Sequence, residues 1–159
     1  MVHRGKSLTF EPEEIEELAS LEYGDKRVFP LLSLLFPFVD LRNQFHVDHV
    51  FPISRFTRTR LLQAGVIEEA VTEYKTLANQ LPNLQLLEGA FNNEKRAVLP
   101  AQWLQGRYQA QADRNHYCTM HLLGDIPENI AEFAAFYAAR RERLKGRIRQ
   151  IINPHHEIA

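Results

Sequence analysis

The chain is poor in several things, and each shortage removes a class of protein. Its one cysteine, Cys118, permits neither an internal disulfide nor a CxxC zinc ribbon, which fits a reducing cytoplasm. No apolar run approaches the roughly 18 to 20 residues of a membrane span, and the basic start Met1 to Lys6 is not followed by a signal-peptide core. The expectation is a soluble, cytoplasmic protein with no membrane partner. Charge of one sign is also lacking. With 19 Lys and Arg against 20 Asp and Glu, the net charge is −1, so any contact with nucleic acid has to come from local clustering. Repeats, low-complexity linkers and glycine-rich phosphate loops are absent too. What remains is ordinary globular usage, 45% apolar and 25% charged over 159 residues, enough for one domain with a real core. Residues 1–8 and 154–159, with His155 and His156, are expected to be flexible ends.

The densest chemistry lies in His46-Val47-Asp48-His49-Val50-Phe51-Pro52, two imidazoles and a carboxylate within four residues, stopped by a proline. In an extended backbone successive side chains alternate faces, so His46 and Asp48 project to one side and His49 to the other. A carboxylate suited to a divalent cation then lies beside a histidine able to act as a base, the division of labour that metal-assisted phosphodiester cleavage requires. A second strand over Leu84 to Leu87 and a short helix opening near Ala90 would return Asn92 over Asp48. Carboxylate, amide oxygen and water suit a hard cation such as Mg²⁺. An imidazole with an ordinary pKa of about 6.5 can take a proton from water at neutral pH once a neighbour fixes its tautomer. The bland reading of an Asp-His pair is a turn or a satisfied polar contact.

Three patterns combine here: V-D-H-V-F-P-x-S from Val47, N-L-x-L-L from Asn83 and N-x-x-K from Asn92. Together they resemble the HNH, or ββα-metal, endonuclease superfamily. Within it, F-H-V-D-H-V-F-P, N-L-Q-L-L-E-G and L-P-A-Q-W-L are most similar to the C-terminal nuclease module of GmrSD-type modification-dependent restriction and anti-phage proteins, from about Phe29 onward. The resemblance implies an α+β, mostly helical domain around a small ββα-metal core, cleaving DNA to 5′-phosphate and 3′-hydroxyl ends. It implies one Mg²⁺ or Mn²⁺ per site, bound by Asp48 and Asn92, with His49 as general base and Asn93 as the rival for the Asn92 role. Modified phage DNA would be the target in a defence role. It also implies an N-terminal NTPase module or a separate NTPase subunit. No D-G-Q-x-R-like motif of such a module is present, so the chain is expected to be a C-terminal fragment or a nuclease recruited by another chain.

Four further residues are candidates for contacting substrate or supporting the ligands. His46 shares a face with Asp48; Asn83 is expected mainly to tie down the loop entering the second strand. Lys95, nearly one helical turn after Asn92, is either a phosphate contact or a solvated surface lysine. Arg55 begins a basic cluster with Arg58 and Arg60.

Around these motifs the periodicity predicts helices. Glu11 to Leu21 carries Ile15, Leu18 and Ala19 with Pro12 in its first turn and Gly24 beyond its end. Val28 to Phe36 is apolar enough to be buried, with Leu31, Leu32, Leu34 and Leu35 as core. After a strand over His46 to Val50, Ser54 caps a helix through Leu62, Gly65 ends it, and Val66 to Leu77 forms another. Pro100 opens a helix with Trp103, expected as a core anchor, and Leu104. Tyr108, His116, Tyr117 and His121 lie in a polar stretch without clear period. Asp125 caps the last helix, whose basic run Arg140, Arg141, Arg143, Lys145, Arg147 and Arg149 is expected to be a solvated face, with DNA backbone contact as the alternative. Two non-enzymatic classes stay open: an inactive HNH-fold nucleic-acid-binding module, and a helical partner-binding domain in which Asp48 and His49 are structural.

Overall fold

A computed structural model of the chain describes residues 11–40 and 42–152, with only the backbone of Asn93. The expected flexible ends, with His155 and His156, and the side chain of the rival ligand Asn93 lie outside the described residues. The described chain is α+β and mostly helical, with one antiparallel pair of strands.

Helix α1, Pro12–Ala19, starts with proline and two acidic residues at its positive dipole end and buries Ile15 and Ala19 one turn apart. It stops at Ser20. The chain then pairs Glu22 with Gln80, and Gly24, at φ +95°, turns it toward α2; the glycine thus shapes the following turn and does not end the helix. Helix α2, Val28–Leu35, buries Val28, Leu32 and Leu35. Leu34 is 62% exposed and Leu31 half-buried, because one side of an eight-residue helix faces the core and the other faces water.

Strand β1, Phe45–His49, pairs antiparallel with β2, Leu84–Glu88, so that His46 faces Leu87, Asp48 faces Gln85 and His49 faces Leu84. Between them lie α3, Arg58–Gln63, and α4, Val71–Ala78. Thr57, not Ser54, caps α3 by accepting a hydrogen bond from Arg60 N at 3.2 Å, since Ser54 is taken up in a 3₁₀ turn over Ile53–Arg55. The expected helix from Val66 likewise begins as a 3₁₀ turn over Glu68–Ala70. Helix α5, Gly89–Lys95, follows β2 directly; α6 is Pro100–Arg107, α7 is Gln111–Met120 and α8 is Phe133–Ile152. Part of the stretch without clear period is therefore a helix, α7. Ahead of α8, Asn129 caps a 3₁₀ turn at Ile130–Glu132 through its bond from Ala131 N, the role expected of Asp125.

Two hydrophobic clusters form the core, and α8 joins them. Its first half gives Phe133, Phe136 and Tyr137 to a cluster with Phe51, Phe56 and Leu61. Its second half gives Leu144 and Ile148 to one with Leu32, Leu35, Leu84 and Leu86. Because α8 is covered on more than one side, its basic run is only in part a solvated face: Arg143 and Arg149 are exposed, and the other four are not. Arg140 is fully buried, donating to the carbonyls of Pro82 at 3.0 Å, Leu84 at 2.6 Å and His121 at 3.2 Å. Lys145, also buried, and Arg141 both pair with Glu16, and Arg147 donates to Leu35 O at the end of α2. Among the described residues, no helix is long and apolar enough to cross a membrane.

Candidate functional site

The hairpin and the helix that follows it bring the sequence motifs together. Gly89 N donates to Gln44 O at 2.9 Å, so the chain leaves β2 and enters α5 against the start of β1. A side chain at Gly89 would meet the His46 ring at 3.3 Å. His46, exposed at this junction, therefore packs over the strand-to-helix turn.

Asp48 is held from two directions. Gln85, its cross-strand partner, donates to Oδ2 at 3.1 Å, and Lys95 Nζ lies 3.2 Å from the same oxygen. Lys95 also donates to His49 O at 2.7 Å. Its side chain is only 1% exposed, so it is neither a solvated lysine nor a phosphate contact on the surface: it is a buried cation whose partners are the backbone and carboxylate of the Asp-His pair. Burial pulls its pKa down while Asp48 holds it up. Among the described residues, Oδ1 of Asp48 accepts no hydrogen bond.

His49 turns to the opposite face of the strand, as alternation requires. There Nε2 bonds to the Asn79 side-chain oxygen at 2.9 Å, and the Tyr23 ring lies 4.6 Å from the imidazole, centroid to centroid. An amide oxygen only accepts, so Nε2 carries the proton and Nδ1 the lone pair. Desolvation lowers the His49 pKa against the opposing pull of Asn79 and Asp48, with Lys95 lowering it further. Neither Asn79 nor Tyr23 was singled out in the sequence. They meet through the Glu22–Gln80 bridge and the bond from Tyr23 N to Asn79 O at 2.7 Å, a pairing with no local signal.

The remaining candidates separate. Asn83 is fully buried; its Oδ1 accepts from Phe51 N at 2.8 Å, and its Nδ2 donates to Phe51 O at 3.0 Å and Ala78 O at 2.9 Å. It staples the β2 entry to the segment leaving β1. Arg55 Nε donates to Ala97 O at 2.8 Å, fixing the turn after α5 where Arg96 takes a positive φ of 45°. Arg58 pairs with Glu68, and Arg60 donates to Ser54 O. Asn92 is partly buried, one turn before Lys95 on α5. It is Lys95, not Asn92, that reaches the Asp48 carboxylate.

The donor chemistry sets what the site can hold. Among the described residues no group of three or more His, Cys, Asp or Glu converges, so no closed protein cage exists for a transition metal. A carboxylate with one oxygen that accepts no hydrogen bond among the described residues suits a hard cation that keeps most of its water. The Lys95 charge beside Asp48 weakens such a cation in the absence of substrate.

Compared with protein-family models and with curated proteins, the chain matches none.

Proposed function

We propose that the protein is a divalent-metal-dependent DNA endonuclease of the HNH type, acting in the cytoplasm in restriction or anti-phage defence. The observation that carries this reading is the antiparallel pairing of β1 with β2 and the return of α5 directly after β2, with Asp48 and His49 at the end of the first strand and Lys95 of the returning helix seated on both. The resemblance read in the three motifs supplies the reaction.

In this reading Asp48 and Asn92 would hold Mg²⁺ or Mn²⁺. When bound, the ion supplies charge stabilisation for the phosphoryl oxygens and the departing 3′ oxygen. His49 takes the proton of the attacking water on Nδ1 as the water oxygen bonds to phosphorus. The bond from phosphorus to the 3′ oxygen breaks, and that oxygen is protonated from solvent, leaving 5′-phosphate and 3′-hydroxyl ends. Asn79 keeps the imidazole in its base tautomer, and Lys95 fixes the Asp48 carboxylate. An NTPase module or subunit would direct the nuclease to its target, modified phage DNA in a defence role.

The Lys95–Asp48 ion pair favours one second reading. A carboxylate already neutralised by a buried lysine can be purely structural, which would make the domain an inactive nucleic-acid-binding module. Incubating supercoiled plasmid with the protein in Mg²⁺, in Mn²⁺ and in chelator separates the two. The nuclease reading expects nicked circles with ligatable 5′-phosphate ends in either metal and none in chelator. Plasmid that binds the protein yet stays supercoiled in both metals would establish the inactive module.

A further inference from the structure

An aromatic pocket of about 190 Å³ opens beside the candidate site, between β2, α5, α6 and α7. Phe91, Trp103, Arg107, Tyr108, Tyr117 and His121 wall it, and Leu86 and Leu87 of β2 border it. We infer that this pocket holds one nucleobase of the strand being cut, stacked among these rings near the scissile phosphate. The inference rests on the nuclease reading for the identity of that strand.

The lining carries the chemistry of a flat heterocycle. Tyr117 is the hub: its ring lies 5.7 Å from Trp103, 5.7 Å from Tyr108 and 4.2 Å from His121, centroid to centroid. Trp103 and Tyr108 from α6 and its end meet Tyr117 and His121 from α7 and its end around this one space, and a base of any kind can stack on an aromatic ring. The polar groups are few. Asp40 and Glu88 lie on the wall; Asp40 is paired with Arg42, and Glu88 can accept from a base N–H, the ring N3–H of thymine included. The Arg107 guanidinium lies 4.4 Å over the Phe91 ring and 5.2 Å from Tyr108, a planar cation suited to the phosphate that accompanies a base.

The pocket is also wired to the site. Tyr117 OH donates to Gln85 Oε1 at 3.2 Å, and Gln85 Nε2 donates to Asp48 Oδ2 at 3.1 Å. Along β2 the pocket residue Glu88 follows Gln85 by three positions, on the order of 10 Å, or about three nucleotide rises. A lipid tail or an apolar peptide side chain would have no use for the cation, the acid and this link to Asp48.

Trp103 is the sole tryptophan of the chain and stands in the pocket wall, so intrinsic fluorescence reports the site directly. The full chain is titrated in chelator, where no cleavage runs, with a short oligothymidylate and with an abasic oligodeoxynucleotide of the same length and charge. The expected result is saturable quenching by the oligothymidylate and none by the abasic strand. Tyr108→Ala and the bulk-preserving Tyr108→Leu should each weaken that binding about 5- to 150-fold. Equal responses to both strands, quenching by neither, or unweakened binding in both variants would overturn the pocket assignment. Plasmid nicking run in parallel keeps the two readings apart: nicking without base-dependent quenching removes the pocket alone, and base-dependent quenching without nicking removes the nuclease alone.

Discussion

His121 shows how far a side chain's surroundings can carry it from its ordinary behaviour. Its ring stacks on Tyr117 and meets Phe36 and Phe38, and burial, helped by the Arg140 charge, pushes its pKa down to about 3. Above pH 6.5 the imidazole is neutral in folded and unfolded chains alike. As pH falls below 6.5 the unfolded chain takes a proton that the folded one refuses, and stability is lost progressively toward pH 3, at about 1.4 kcal/mol per pH unit. His121→Phe should therefore lessen the fall in melting temperature between pH 7 and pH 4. A fall as steep as in the wild type would show that His121 does not set it. At this scale the sequence was legible where chemistry is contiguous, as in Asp48-His49. It was silent where partners come from far along the chain: Asn79 stands 30 positions from His49. The burial of Lys95 has no local signal, because lysine is almost never fully buried unless paired and its pairing depends on the helix returning across β1.

Among elements, β1, β2 and α5 follow from their patterns almost as read. Asn83 performs the loop-fastening expected of it, with three hydrogen bonds to the backbone of Phe51 and Ala78. Asn83→Ala would leave a buried amide N–H and two carbonyls short of partners, and urea unfolding should show a loss of about 3 kcal/mol. A change below about 0.5 kcal/mol would mean that water or a shifted backbone replaces the amide without penalty. Helix starts were the weak point. Thr57 and Asn129 displaced Ser54 and Asp125 as caps because 3₁₀ turns intervene, and several side chains in each segment are chemically able to cap. Helix α7 escaped notice because none of its residues is buried, so no apolar stripe marks its period.

For the whole molecule, the motif resemblance and the helical periodicity gave the mostly helical α+β class and composition gave the near-neutral charge, but not where the charge is placed. The basic run of α8 joins two hydrophobic clusters, and Arg140, with no acid among the described residues against its guanidinium, lies buried where they meet. Burial lowers its pKa to about 9, and its three carbonyl partners tie the start of β2 to the end of α7. The arginines that a sequence offers to DNA are here partly spent on holding the hairpin in place, which leaves Arg107 as the pocket's cation.

On the proposed reading, the Asp48-His49 strand end is a nuclease site whose base is His49. Its most direct test is the nicking rate of supercoiled plasmid in Mn²⁺ by wild type and by His49→Ala, at equal DNA binding and with equal circular dichroism. The account predicts a loss on the order of 10² to 10⁴ in rate. A folded His49→Ala protein that nicks at the wild-type rate would contradict it.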